Sequence, residues 1–484
     1  MNLSTSYEPI QHRARTKIVA TIGPACRPPE MLAKLVGAGV DVFRLNMAHG
    51  TPADHNATIL DIRQISESAE RPIGILVDLA GPKIRLGQLA QEPLDCHVGD
   101  MFRFVRGTES QDAHDLTSTY ESLIDELDIN DRVLLADGTV AMLVTRKERD
   151  EVYCQVTGPG ELRSRQGINL PGVKLSVPAM NDVDRENAEW AARSGVDFIS
   201  LSFVRSAVEV RQLKEIVAEQ NSRALVISKI EKPEALENLD DIVHASDGIM
   251  VARGDLGVEI DVAEMPVEQK RIIDTCVRYK RPVIVATQML DSMQRASRPT
   301  RAEVTDVANA IIDGADACML SGETAIGKFP RESVEMMNRI MLSSEKLAVR
   351  DWKPEASAFE YEGVHPTSSA VVYHAGQIAK DVNAKIVVVA TRSGATALAK
   401  AKHRDLIPTI AVSDSDETLR RMTLYWGIGP VAGAPCQANE DLTDFIDNWG
   451  RRNGFLETGD LVVVVSGTGL LEGAHNLVMV HEVN

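Results

Sequence analysis

Eight short apolar runs at nearly even spacing constrain this chain more than any other feature. They are Thr16–Gly23 (TKIVATIG), Val40–Asn46 (VDVFRLN), Ile73–Gly81 (IGILVDLAG), Asp197–Phe203 (DFISLSF), Ala224–Glu231 (ALVISKIE), Gly248–Asp255 (GIMVARGD), Pro282–Met289 (PVIVATQM) and Ala317–Thr324 (ACMLSGET). Near-continuous apolar character marks strands buried on both faces, as in parallel sheets. Their first residues lie 24 to 35 positions apart, with one gap of 124. A strand, a helix and two loops need about 30 residues. The gaps carry helical signals. After the seventh run, Thr300 and Glu303 form a capping box, Val304, Val307, Ala308, Ile311 and Ile312 follow helical spacing, and Gly314 closes the helix. Eight strands alternating with helices predict an α/β fold, a (β/α)8 TIM barrel over 16–87 and 175–349. An open sheet of six to eight strands is the alternative.

The long gap, 88–174, lacks helical periodicity and holds β-like pieces such as Arg132–Leu135, Val140–Thr145 and Val152–Val156 between Asp-Gly and Gly-Pro-Gly turns. This predicts a small inserted β-barrel domain, placed like a lid on the face where barrel active sites form. A polar N-terminal segment, 1–15, precedes the barrel, and a polar stretch, Arg350–Gly363, follows it. Beyond lies a second βα alternation: Lys385–Ala390, Thr409–Val412, Pro430–Ala432, Leu461–Val465 and Leu477–Val480. It predicts an open α/β domain over 350–484. No internal repeat is evident.

Composition narrows the function. Fifty-two basic against 70 acidic side chains give a net charge of −18, and aromatics are 4%. That balance argues against nucleic-acid or anionic-membrane partners. Cys26, Cys96, Cys154, Cys276, Cys318 and Cys436 form no C-x-x-C pair, which reads as reduced thiols in a cytoplasmic protein. No apolar run reaches the ~18 residues of a membrane span.

The strands end in charge, always at their C-terminal ends. Arg44 and Asn46 end the second, with His49 beyond; Asp78 ends the third, before Lys83 and Arg85. Lys229 and Glu231 end the fifth, Arg253 and Asp255 the sixth, Thr287 and Gln288 the seventh, Ser321 and Glu323 the eighth. Buried charge without a partner is costly, so six such ends on one barrel face point to an active site more than to structural ion pairs. Glu231 and Asp255 are hard oxygen ligands that suit Mg²⁺. Arg44, Arg85, Lys229 and Arg253 supply local positive charge for phosphate or carboxylate substrates and phosphoryl transfer. Gly254-Asp255-Leu256-Gly257 reads as a glycine-punctuated turn whose amides can approach an anion. No Walker A loop and no G-x-G-x-x-G opening a βα unit is present.

These residues carry a resemblance to the pyruvate kinase family along essentially the whole chain. The strongest match is VISKIEKPEAL (Val226–Leu236), followed by TKIVATIGPA (Thr16–Ala25), RLNMAHG (Arg44–Gly50), DLAGPKIR (Asp78–Arg85), INLPG (Ile168–Gly172), SDGIMVARGDLGVEI (Ser246–Ile260), ATQMLDSM (Ala286–Met293), RPTRAEVTDVANAIIDGAD (Arg298–Asp316) and MLSGETAIGKFP (Met319–Pro330). The resemblance implies phosphoryl transfer from phosphoenolpyruvate to ADP, giving pyruvate and ATP. It implies that Glu231 and Asp255 hold Mg²⁺ or Mn²⁺, that Lys229 and Arg44 meet the transferring phosphoryl group, and that Gly254, Asp255 and Thr287 hold the substrate carboxylate. Thr287 and water serve the enolate proton, and Asn46, His49 and Arg85 face the nucleotide. A homotetramer is implied too.

Some positions depart from the family pattern. Gln166, preceded by Arg165, replaces the lid lysine, and Met47 and Ala48 replace Phe and Ser. Leu79 and Lys83 stand where members that need K⁺ carry Thr and Glu. The monovalent-cation region, Asn46, Asp78, Leu79 and Lys83, therefore implies an enzyme that does not require K⁺. In the C-terminal domain, Thr391, Arg392, Ser393, Gly394 and Thr396 open a helix where relatives take sugar-phosphate or nucleotide effectors; the same residues also fit a capped helix without ligand. Two rival functions are a Mg²⁺-dependent, enolate-forming aldolase or lyase on the same barrel and a non-enzymatic effector-binding relative.

Overall fold

The structure is a computed structural model that describes residues 13–136, 138–348, 364–435, 439–467 and 476–484. Most of the N-terminal segment, the polar stretch Arg350–Gly363 and Cys436 lie outside the described residues. All eight apolar runs form strands: β1 (Lys17–Thr21), β2 (Val42–Asn46), β3 (Gly74–Asp78), β4 (Phe198–Leu201), β5 (Leu225–Ile230), β6 (Gly248–Ala252), β7 (Val283–Ala286) and β8 (Ala317–Leu320). They close a barrel in sequence order, with β1 pairing β8 in parallel. The barrel interior is packed by Val19, Val42, Leu76, Phe198, Ile227, Met250, Ile284 and Met319, and a larger apolar layer lies between the strands and their helices. Those strands are apolar on both faces because both faces are buried.

A polar device repeated four times closes the barrel base. Asp41, Asp197, Asp247 and Asp316 each stand one residue before an even-numbered strand. Their carboxylates accept the amides of Ile18, Ile75, Val226 and Val283 on the preceding odd strand, at 2.8 to 2.9 Å. Each aspartate amide donates back to the carbonyl of that same residue. Every carboxylate also meets a cation: Arg71 at Asp41, Arg63 and Arg420 at Asp197, Lys214 at Asp247, and Lys402 and Arg404 at Asp316. Arg420, Lys402 and Arg404 come from the C-terminal domain, so two of the four caps also dock that domain.

The insert folds as a half-barrel, an open six-stranded mixed sheet beside a two-stranded ribbon, around its own core of Phe102, Phe104, Val133, Met142 and Cys154. The C-terminal domain is a five-stranded sheet with four parallel strands and an antiparallel edge strand, Leu477–Glu482. The five described cysteines are buried and unpaired. Among the described residues no helix is long and apolar enough to cross a membrane.

The caps differ in burial, which sets their worth. The Asp316 side chain is 1% exposed and its two cations 5% each, whereas Asp247 and Lys214 are 24% and 36% exposed. Asp316→Asn leaves two buried cations without their anion and is expected to cost about 3 kcal/mol. Asp247→Asn, with a partner screened by solvent, costs less than about 1 kcal/mol. Urea denaturation midpoints check this order; equal losses at the two sites would show that the C-terminal cations add nothing.

Candidate active site

The charged strand ends converge on the face opposite the aspartate ring, and their geometry sorts them. Asp78, at the end of β3 and 1% exposed, is the hub. One oxygen accepts from Arg44 Nε at 2.7 Å and from an Arg44 Nη; the other accepts Ser200 Oγ at 2.6 Å and lies 3.4 Å from Lys229 Nζ. Arg44 is steadied further by Thr21 Oγ1. Burial alone would raise Asp78, but Arg44 and Lys229 outweigh it and hold the carboxyl below its ordinary value. Lys229 donates to Ser202 Oγ at 2.7 Å, and Ser202 donates in turn to the Leu79 carbonyl. Burial pushes the Lys229 ammonium down, yet Asp78 and Glu231 prevail and keep it above its ordinary value, so it is a fixed positive charge.

Glu231 follows β5 and is fully buried. Oε2 accepts the Phe203 amide at 2.7 Å. Oε1 lies 2.8 Å from Lys229 Nζ but receives no directed hydrogen bond. Burial raises the Glu231 carboxyl, Lys229 opposes this, and the negative charge of Asp255 pushes upward again; the net shift is upward. Asp255 is 31% exposed, with Lys83 Nζ 4.0 Å away. A buried carboxylate oxygen without a hydrogen bond, close to a second, open carboxylate, fits a hard divalent cation. Among the described residues no three His, Cys, Asp or Glu side chains form a cage, and Mg²⁺ rarely needs one because water and substrate oxygens complete its shell.

Gly254 and Asp255 lie on a short helix, Arg253–Glu259, that starts directly at the end of β6. This corrects the expected glycine turn: the chain goes from strand to helix without a loop. The Gly254 amide donates to Thr287 Oγ1 at 2.8 Å, which joins the ends of β6 and β7. Thr287 and Gln288 both have positive φ, +67° and +53°. A second correction concerns Arg253. Its guanidinium is 9% exposed and is spent on carbonyls of the Ala286–Gln288 segment and on Asp306, so it supplies no charge to a substrate. Glu323 is likewise structural, accepting the amides of Leu290 and Ser321.

The remaining candidates lie at the rim. Asn46 Oδ1 accepts the Ala48 amide, and the His49 carbonyl pairs with the His55 ring. Arg85 sits where the insert meets the barrel, its Nη1 donating to the Arg165 carbonyl at 3.1 Å. Gln166 folds back to accept the Arg163 amide. Far away in the C-terminal domain, Thr391 Oγ1 accepts the Gly394 amide and Ser393 Oγ the Ala395 amide. Arg392 is 89% exposed and 3.7 Å from Asp414, and Thr396 is buried in the helix that follows. Those hydroxyls already cap their own helix. Sequence reasoning missed Ser200, Ser202 and Phe203, which orient Asp78, Lys229 and Glu231. Their signal was polar serines on alternate positions of an otherwise apolar strand.

A family model described as "Pyruvate kinase, barrel domain" matches residues 13–334, and one described as "Pyruvate kinase, alpha/beta domain" matches 369–481. The chain belongs to the pyruvate kinase family. A pyruvate kinase of Sporosarcina psychrophila is 40% identical over 472 residues, covering 96% of this chain and 80% of the relative. One of Mycobacterium intracellulare is 41% identical over 473 residues, covering 97% and 98%. A solved pyruvate kinase of Cryptosporidium parvum superposes with a TM-score of 0.89 at 32% identity, covering 98% of this chain and 97% of that one. Pyruvate kinase membership makes the chain an enzyme, a phosphotransferase, and sets aside the lyase and non-enzymatic alternatives.

Asp78 is the stronger of the two anions that keep Lys229 charged against burial, so Asp78→Asn is expected to lower the Lys229 pKa. Titrating the Lys229 Nζ resonance of wild type and variant by ¹⁵N NMR checks this. An unchanged titration would leave Glu231 as the sole stabiliser of the ammonium.

Proposed function

We propose that the chain transfers the phosphoryl group of phosphoenolpyruvate to ADP, giving pyruvate and ATP, with Mg²⁺ or Mn²⁺ held by Glu231 and Asp255. The observation that carries this is the charge balance of the site. Three cations, Arg44, Lys229 and, 4.0 Å from Asp255, Lys83, only balance three carboxylates, Asp78, Glu231 and Asp255, and burial is set against Glu231 staying ionised. A divalent ion makes that set net positive and supplies Lewis-acid stabilisation of the oxygens on which charge develops.

The protein's own groups divide the work. Arg44 and Lys229 are fixed cations for the transferring phosphoryl group, which needs positioning and charge stabilisation more than covalent help. Gly254 and Asp255, at a helix start, and the Thr287 hydroxyl receive the substrate carboxylate. Once the phosphoryl group has left, the enolate methylene carbon takes a proton from the Thr287 hydroxyl, and a water proton replaces it. Asn46, His49 and Arg85 line the nucleotide side. The Thr391–Thr396 loop is where this reading seats an anionic effector, which would compete with the caps already formed there.

K⁺ is not required in this reading. The oxygens expected around such an ion are engaged: Asp78 by Arg44, Ser200 and Lys229, the Leu79 carbonyl by Ser202, and Asn46 by the Ala48 amide. Lys83 brings its own ammonium to within 4.0 Å of Asp255. A lysine ammonium is a compact point charge on a flexible stem, able to stand in for a monovalent cation.

Two measurements test the reading. Purified protein with phosphoenolpyruvate, ADP and Mg²⁺ should form pyruvate and ATP one for one. The Mg²⁺ needed for half-maximal rate should rise as pH falls toward the raised Glu231 value, because a protonated carboxyl is a poor ligand. Glu231→Gln should raise that Mg²⁺ requirement at least tenfold and flatten its dependence on pH; an unchanged requirement would move the metal elsewhere. Separately, activity should be near full with a bulky organic cation in place of K⁺. Tenfold or greater stimulation by added K⁺ would exclude the role given to Lys83.

A further inference from the structure

Arg253 looks like a site cation in the sequence, yet its side chain points away from the substrate groups. Its contacts are unusually concentrated. Nε lies 3.3 and 3.2 Å from the carbonyls of Ala286 and Thr287; Nη2 lies 2.6 Å from the Thr287 carbonyl and 3.2 Å from that of Gln288; Nη1 lies 2.6 Å from Asp306 Oδ2. One planar group thus gathers three successive carbonyls at the end of β7 and is itself anchored on the helix Arg301–Asp313.

The segment it grips is strained. Thr287 is β-branched and sits at φ +67°, and Gln288 follows at +53°. Left-handed backbone at a β-branched residue is a true outlier and persists only where its surroundings enforce it. Three carbonyls turned toward one cation are such an enforcement: relaxing Thr287 to negative φ would swing at least one of them off the guanidinium. In the same conformation the Thr287 hydroxyl accepts the Gly254 amide at 2.8 Å and donates to the Ala286 carbonyl at 2.6 Å, a bond it must give up to serve the enolate. Arg253 is also the residue next to Gly254, so one residue links the backbone of the proposed carboxylate site to the hydroxyl facing it.

We propose that Arg253, anchored by Asp306, is a positioning residue for the proton step: it holds Thr287 in the left-handed conformation that keeps its hydroxyl beside the Gly254 amide, from where it serves the enolate carbon. This rests on the role given to Thr287 above. Arg253 does not touch substrate, and its planar fork is what matters, since a lysine ammonium at the same place cannot bond three carbonyls and a carboxylate at once.

The experiment compares two rates in the full-length enzyme: ATP formation from phosphoenolpyruvate, and exchange of the methyl protons of pyruvate with ²H₂O, followed by ¹H NMR with Mg²⁺ and ATP present. Thr287→Val is the control. It should slow exchange at least a hundredfold; no change in exchange would overturn the role of Thr287 itself. Given that loss, Arg253→Lys should slow exchange at least tenfold more than ATP formation. Asp306→Asn, at a position whose side chain is 40% exposed, should show the same bias at a smaller size. Added guanidinium should restore exchange in Arg253→Ala, whereas methylammonium at equal concentration should not. Equal losses of both rates in Arg253→Lys and Asp306→Asn, with thermal melting unchanged, would overturn the positioning role while leaving that of Thr287 intact.

Discussion

A closed parallel barrel depends on what happens at the ends of its strands. Backbone amides there have no strand partner in register, and an unmet buried amide is costly. Here each even strand begins with an aspartate that closes a two-bond ring with the preceding odd strand, amide to carbonyl one way and amide to carboxylate the other. A carboxylate so used must be neutralised, and the cations that do it come from the barrel at Asp41 and Asp247, from the C-terminal domain at Asp316, and from both at Asp197. Closure of the barrel and attachment of the C-terminal domain are therefore one electrostatic arrangement. Lys17 strengthens it by donating to the Ile428 carbonyl across the same boundary.

The two ends of the barrel use the same residue types to opposite effect. At the base every carboxylate has both an amide and a cation. At the top Asp78 is saturated by Arg44, Ser200 and Lys229, Glu231 has an amide on one oxygen and the Lys229 ammonium without a directed hydrogen bond on the other, and Asp255 stays open. The ends differ at Asp255, whose cation stands 4.0 Å away, whereas every base carboxylate meets a cation at 2.9 Å or closer. A carboxylate that is buried and only half paired has an upward-shifted pKa and an affinity for added positive charge, which is how a site differs from a brace.

The architecture was legible because β-strands buried on both faces leave long apolar words, and because 24 to 35 residues separate them. Lys229, Glu231 and Asp255 stand out because charge at the end of such a word is unusual, and the fold does gather them at one end of the barrel. Arg253 has the same signature and a different job: type and position along a strand do not tell which way a long side chain turns. The glycines at 254 and 257 suggested a turn, whereas tertiary packing makes them part of a helix. The fourfold repeat was overlooked although it is written in the sequence, as Gly39-Val40-Asp41, Gly195-Val196-Asp197, Ala245-Ser246-Asp247 and Gly314-Ala315-Asp316. Four three-residue words scattered over some three hundred positions are too short to register as a repeat until the fold aligns them.

Left-handed backbone occurs at both ends: Glu70, Asn221 and Lys280 precede β3, β5 and β7 at the base, and Phe203, Thr287 and Gln288 lie just past the C-terminal ends of β4 and β7 at the top. Two of the latter are tied to site groups: the Phe203 amide holds Glu231, and Thr287 meets Gly254. Such conformations persist only where the surroundings over-determine them. Arg253, backed by Asp306, fills that role at Thr287 and Gln288. Each such residue costs about 1–3 kcal/mol, which the packing and pairing of the rest of the barrel must offset. What sets the top face apart is therefore the use made of the left-handed backbone: there it holds a hydroxyl, an amide and a carboxylate against one another.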